Sequence, residues 1–159
     1  MYAPLQRAEQ SFVQARRQAG REQWLARLGR SSAALRCYSE LHRAPGDSSP
    51  QKLGVQEIPL AAIVGSVERC SDYTRSFAPL KDSDRARWTR VLEAFEANKR
   101  LPPIKVYRVG DLYYVADGHH RVSVARQLGR LDILAQVVDV TPATSLTRRE
   151  GEPGKDVPQ

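Results

Sequence analysis

The segment Tyr113-Tyr114-Val115-Ala116-Asp117-Gly118-His119-His120-Arg121-Val122-Ser123-Val124-Ala125-Arg126-Gln127-Leu128-Gly129 decides how this chain is read. An apolar, β-prone run ends at Asp117-Gly118, and Val122, Ala125 and Leu128 then recur at helical spacing as far as Gly129, a residue type that stops helices. A strand that turns on glycine into a helix over 121–128 leaves several backbone N–H groups unpaired where the helix dipole favours an anion. Gly118 lets the backbone come close to a phosphate, and Arg121 adds a forked donor on the first turn. Asp117 either caps the helix or holds a metal carried by a nucleotide. His119 and His120 can donate to phosphate oxygens or transfer protons, and one of the two is expected to pack against the preceding hairpin, satisfied by a backbone carbonyl. A zinc pair at this position has no evident third ligand, because His42 belongs to the distant N-terminal part.

Working outward, Ile104–Val109 and Leu112–Ala116 flank Gly110-Asp111 and form a hairpin. Asp82 or Ser83 caps a helix that runs to about residue 99, with Trp88, Val91, Leu92 and Phe95 at core spacing and Pro102-Pro103 as its stop. Val55–Leu60 is extended, with Pro59 placing it at a sheet edge or marking a strand end. Ile63–Arg69 reads as a turn-rich loop, and Ile133–Val140 as a last strand. Further upstream, Leu5, Ala8, Phe12, Val13 and Ala15 make residues 5–18 an amphipathic helix. Gly20 interrupts it before a second apolar stripe, Trp24, Leu25 and Leu28, and Ser31 or Ser32 caps a third stretch with Leu35, Tyr38 and Leu41. The resulting division is a helical arm over 1–44, a linker over 45–52, an α/β domain with a small mixed sheet over 53–140, and a polar, mobile tail over 141–159.

At 159 residues the chain has room for one domain and an extension, and 41% apolar residues suffice for a core. No apolar run approaches the roughly 18–20 residues of a membrane span, and Met1–Arg7 lacks the apolar run of a secretory signal. Cys37 and Cys70 stand far apart without CxxC spacing, so neither a disulfide framework nor a cysteine zinc site is expected, and a reducing cytoplasm is. Net charge is +7, and 20 of the 25 cations are arginine, which suits forked contacts to phosphate. The excess is concentrated in residues 1–44, where eight arginines face Glu9, Glu22 and Glu40; the remainder carries 17 cations against 15 anions. Such an arm is either a solvated helix surface or a surface for phosphate backbones, with Arg16, Arg17 and Arg21 clustered around the Gly20 break. Its apolar residues Phe12, Trp24, Leu28 and Leu35 are expected to be covered by the α/β domain or by a second copy of the chain.

The stretch from Leu101-Pro102-Pro103-Ile104-Lys105-Val106 through Asp117-Gly118-His119-His120-Arg121 to Ile133 resembles the ParB/sulfiredoxin superfamily. Ile58-Pro59-Leu60 resembles its first strand, and Val64-Gly65-Ser66-Val67-Glu68-Arg69 stands where it carries an Arg-containing loop, so the resemblance covers about residues 53–140. It implies a small mixed sheet with a Gly-x-x-Arg turn, and phosphate contacts from Ser66, Arg69, Gly118, His119, His120 and Arg121. Sulfiredoxins place a nucleophilic Cys after this glycine; His119 occupies that position here, so their thiol chemistry has no nucleophile. ParB proteins bind CTP through a Gly-Glu-Arg-Arg type of turn, which Gly118 and Arg121 match and His119 and His120 do not. Free-serine kinases of this fold use Asp-Gly-His-Thr-Arg, which is nearer to Asp117–Arg121, with an upstream acidic base for which Glu57 and Glu68 are the nearby candidates.

The expectation is therefore a domain that binds a nucleoside di- or triphosphate (CTP, ATP or ADP) with Mg²⁺ at 117–121, and that hydrolyses or transfers phosphate. Asp117 would orient metal or nucleophile, and His120 would move the proton. The alternatives are a ParB-like DNA-binding or nuclease module using the arginine-rich arm, and a degenerate domain that only mediates association, a homodimer included.

Overall fold

The computed structural model describes residues 3–29, 32–41 and 49–142. Helix α1 (Ala3–Arg27) is followed by β1 (Arg36–Cys37), β2 (Gln51–Pro59), β3 (Ile63–Ser66), α2 (Arg85–Glu96), β4 (Ile104–Val109), β5 (Leu112–Asp117), α3 (His119–Gln127) and β6 (Asp132–Asp139). The six strands form one mixed sheet in the order β1-β3-β5-β4-β6-β2. The hairpin β4–β5 lies at its centre, antiparallel as expected from Gly110-Asp111, and β2 lies at one edge, as Pro59 requires. β3 runs parallel to β5, so the ends of both strands arrive on the same side, and each leads into a segment of the site.

The main core sits between the sheet and α3. Ile58, Ile63, Ile104, Val106, Val115 and Val137 from the strands pack with Val122 and Ala125 of α3 and with Tyr73 and Phe77 of the β3–α2 connection. Burying such side chains contributes about 1.5–3 kcal/mol each. A second cluster joins the three helices: Phe12 of α1 meets Trp88 of α2 edge to face at 5.6 Å, beside Leu92 and Val124. The Trp88 indole N–H donates to Ser123 Oγ at 2.9 Å, which satisfies a buried donor and locks α2 to α3.

Several expected elements differ. Gly20 does not break α1, because burial of Ala8, Phe12, Ala15 and Ala19 outweighs the roughly 1 kcal/mol that glycine costs a helix. Phe12 and Leu35 are covered as expected, but Trp24, Leu25 and Leu28 remain 60%, 54% and 61% exposed. The third helical stretch is instead β1 and a single 3-10 turn, Tyr38–Glu40. The Ile63–Arg69 loop begins as β3: Ile63, Gly65 and Ser66 are buried and pair with Tyr113, Tyr114 and Val115. Gly65 is required there, since a side chain would run into the Arg36 carbonyl and the Tyr114 ring. A 3-10 turn at Asp82–Asp84 precedes α2, and neither Asp82 nor Ser83 caps the helix; its N-cap is Asp84, without a side-chain capping bond. Residues 42–48 and 143–159, which include half of the expected linker and most of the expected tail, lie outside the described residues.

Cys37 and Cys70 form a disulfide, which corrects the expectation of two independent thiols. Thirty-three residues separate them in sequence, but β1 pairs with β3 (Cys37 opposite Ser66), and the loop after β3 returns Cys70 to within 5.5 Å, Cα to Cα. The cysteine argument for a reducing compartment falls with it. Among the described residues no helix is long and apolar enough to cross a membrane.

Candidate functional site

β5 ends at Asp117, and Gly118 turns the chain at φ 102° into α3, which starts at His119, two residues before the expected position. Gly118 itself occupies the N-cap position, so Asp117 is not the helix cap. The glycine is fixed by backbone conformation and by space: a Cβ would lie 2.5 Å from Ile104 Cγ2. The next turn faces a cleft of about 420 Å³ bounded by α2 and by the loop after β3. Gly118, His119, His120 and Arg121 line it on one side, Glu68 and Arg69 on another, and Arg87 and Arg90 of α2 on the third.

Arg121 is differently employed from the expectation. Its Nη1 donates to the Pro102 and Pro103 carbonyls and its Nη2 to Asp117 Oδ2 at 3.2 Å. The guanidinium therefore clamps the start of α3 to the approach to β4. Asp117 is 66% exposed by side chain and keeps a second carboxylate oxygen. No group of three His, Cys, Asp or Glu gathers among the described residues.

The two histidines have separate environments. His119 turns inward and is 4% exposed. Its Nε2 shares a hydrogen bond of 2.7 Å with Ser66 Oγ, and its ring stacks on Tyr73 at 5.8 Å. It is thus the packed histidine, satisfied by a buried hydroxyl rather than by a carbonyl. Burial, reinforced by the charges of Arg69 and His120, lowers its pKa to about 4, so the ring is neutral at physiological pH. Ser66 is fully buried and also accepts the Arg69 backbone N–H at 2.9 Å. The structure thus uses it to brace His119 and the loop, away from the cleft surface.

His120 places Nε2 3.0 Å from Asp84 Oδ1. Asp84 is buried at the start of α2, and its Oδ2 is buried without a partner among the described residues. Among the described residues no hydrogen bond engages the other ring nitrogen, Nδ1, of this cleft-lining residue. The sequence reading missed Asp84; only a spacing of 36 residues, invisible as a motif, separates it from His120.

Arg69 lines the cleft, but its guanidinium is tied to Asp72 at 2.6 Å and to Asp84 at 3.4 Å, over the face of Tyr73. Burial opposes its charge, yet these carboxylates hold its pKa above the ordinary arginine value. Asp72, also bonded by Lys81 at 2.6 Å, is held below the usual carboxylate range, because the hydrogen bonds from Lys81 and Arg69 overcome its burial. Arg87 and Arg90 were likewise missed. They are exposed, spaced i and i+3 on α2, and neither has an ion pair among the described residues. Helix-surface arginines carry no signal until a fold places them across from a phosphate-type turn. Glu57 lies on β2 and does not line the cleft, whereas Glu68 does.

Arg16, Arg17 and Arg21 of the arm do not line this cleft. Arg16 bonds Asp82 at 3.1 Å and the Pro79 carbonyl at 3.3 Å, while Arg17 and Arg21 lie on the exposed side of α1 beside Trp24.

None of the curated proteins matches the chain. Among solved structures, sulfiredoxin from Arabidopsis thaliana is similar at 22% identity and a TM-score of 0.43, over 58% of this chain and 92% of that one. The family model described as the ParB N-terminal domain matches residues 47–151. That stretch contains β2 to β6, the Gly118 turn and both walls of the cleft, and on it the chain belongs to the ParB N-terminal domain family.

Proposed function

We propose that the cleft binds the phosphate groups of a nucleoside di- or triphosphate, and that bound phosphate is then hydrolysed or transferred. The observation that carries this reading is the pair Arg87 and Arg90, free of carboxylate partners among the described residues and lining the same cleft as the first residues of α3. Helix N–H groups and two mobile guanidinium groups suit an anion with several oxygens. Arg69 and Arg121 add fixed positive charge while already bonded to the protein, which makes the cleft preorganised. His120, with Asp84 behind it, is suited to accept the proton of an attacking hydroxyl or water at Nδ1. Mg²⁺ arriving with the nucleotide would neutralise phosphate charge, with Asp117 as its protein ligand.

The test is titration of CTP, ATP and ADP, with and without Mg²⁺, into the full chain and into Arg87→Ala and Arg90→Ala. Each variant is expected to weaken binding by about tenfold or more, the loss of one charge-assisted contact. Unchanged affinity in both, or no binding by the parent chain, overturns the reading.

A second reading has one observation behind it. Arg17 and Arg21 stand beside Trp24 on the exposed face of α1, an arrangement that suits a nucleic-acid backbone. Duplex DNA affinity that falls with salt, and that is lost in an Arg17→Ala/Arg21→Ala double variant, would support it.

A further inference from the structure

A second cavity, of about 330 Å³, opens at the other end of α3, between the C-terminal half of that helix, α1 and the Leu60–Ala62 turn. Its walls include Leu60, Ala61, Phe77 and Leu131, and among the described residues the charged ones that line it are Arg126 and Arg130, with no carboxylate. Arg130 is exposed at the rim with its guanidinium 5.7 Å from the Phe95 ring centre.

Arg126 lies deeper. One nitrogen, Nη2, donates to the Leu60 and Ile63 carbonyls at 2.7 and 2.9 Å, and the guanidinium lies over the Phe77 ring at 5.5 Å. Its Nε is buried and has no partner, and no ion pair with an acid is found for it among the described residues. Nη1 also has no hydrogen-bond partner among the described residues, and Arg126 lines the cavity. Burial lowers the Arg126 pKa, with Glu22 the sole opposing charge. Glu22, held by Gln18 and Ser76 of the cavity wall, makes no ion pair with Arg126 among the described residues, so the half-buried cation is only partly compensated, and an anion bound beside it would reduce that cost.

We infer that this cavity is a second binding site, separate from the phosphate cleft, for a small organic carboxylate with a compact apolar body. The carboxylate would sit against Arg126 Nη1 and Arg130, and the body against Leu60, Ala61 and Phe77. The aliphatic and aromatic walls give an organic anion an apolar contact that inorganic phosphate does not use.

Benzoate is the probe, with benzamide as its neutral isostere and inorganic phosphate as the bodiless anion, each titrated into the ¹⁵N-labelled full chain. Benzoate is expected to shift the Ala61, Phe77 and Ala78 amides saturably, and to bind about tenfold or more tightly than benzamide or phosphate. Arg126→Gln and Arg130→Ala should each weaken it. Because Arg126 also holds two backbone carbonyls, Ala61→Leu provides a variant that fills the cavity and leaves Arg126 in place; it should abolish the shifts. Arg87→Ala should leave benzoate binding unchanged, which separates this site from the cleft. Benzamide or phosphate binding as tightly as benzoate, no shift with any probe, or full binding in Ala61→Leu overturns the inference.

Discussion

Asp84 stands behind His120, its Oδ1 3.0 Å from the ring Nε2, while the ring's other nitrogen has no hydrogen-bond partner among the described residues and belongs to a residue that lines the cleft. A carboxylate in that position accepts the Nε2 proton and so fixes the tautomer of the neutral ring, leaving the Nδ1 lone pair as the accepting group.

The tautomer is directly observable. Imidazole ¹⁵N shifts should show His120 protonated on Nε2 and unprotonated on Nδ1 when neutral, and Asp84→Ala should mix the two forms. A neutral ring with its proton on Nδ1 in the parent chain would remove His120 as the base. Asp84→Ala also leaves a buried end of Arg69 short of a partner, so a stability loss of about 1.5–3 kcal/mol is expected by denaturant unfolding.

His119 makes stability depend on pH. Its folded-state pKa of about 4 lies below the ordinary 6.5, so the unfolded chain binds more protons between these values. The contribution is therefore complete above pH 6.5 and is lost as pH falls towards 4, by an amount of roughly 3 kcal/mol. Asp72 titrates below this window, since its pKa is depressed from 3.8. Urea unfolding across the window should show the decline in the parent chain and a much flatter profile in His119→Gln.

Arg121→Ala should cost stability before it costs affinity. The side chain holds the Pro102 and Pro103 carbonyls and Asp117, so its removal frees the start of α3 from β4 and is expected to cost about 1.5–3 kcal/mol. Arg87→Ala and Arg90→Ala, at exposed positions, should stay within about 0.5 kcal/mol of the parent. Equal stability in Arg121→Ala and Arg87→Ala would mean that the clamp contributes nothing.

The Cys37–Cys70 bridge closes a loop of 33 residues in sequence separation, for which chain entropy gives a stabilisation of about 3–4 kcal/mol. Unfolding midpoints measured with and without a reductant should differ accordingly, and a Cys37→Ser/Cys70→Ser chain should match the reduced protein. Identical midpoints would show that the bridge does not form in solution.

What was legible in the sequence follows from range. The β4–β5 hairpin and the Gly118 turn are written in contiguous residues, where turn chemistry and period decide the outcome, and the family resemblance rests on the same stretch. α1 defeated a local rule, since tertiary burial of its alanine and Phe12 face carried the helix through Gly20. β3 was hidden because Ile63–Ser66 holds only four residues and its partner lies some 50 residues away. At the site, the turn and both histidines were visible. Their division of labour was not, because it is set by Ser66 and Asp84, which reach the turn from 53 and 36 residues upstream. Arg121 had the right chemistry for phosphate, but no local pattern shows that two proline carbonyls already occupy it.

β1 has a bearing on where this domain can be cut. The family match begins at residue 47, yet Arg36 and Cys37 cover the outer edge of β3, and Ala33 and Ala34 bond to the Thr74–Arg75 segment beside them. A chain trimmed to the matched span would leave the N–H and C=O groups of β3 open along that edge and Cys70 as an unpaired thiol. Both are routes to intermolecular pairing, one by strand addition and one by oxidation. Recombinant fragments that begin at 47 should therefore self-associate where the longer chain does not, although every residue of the cleft is still present.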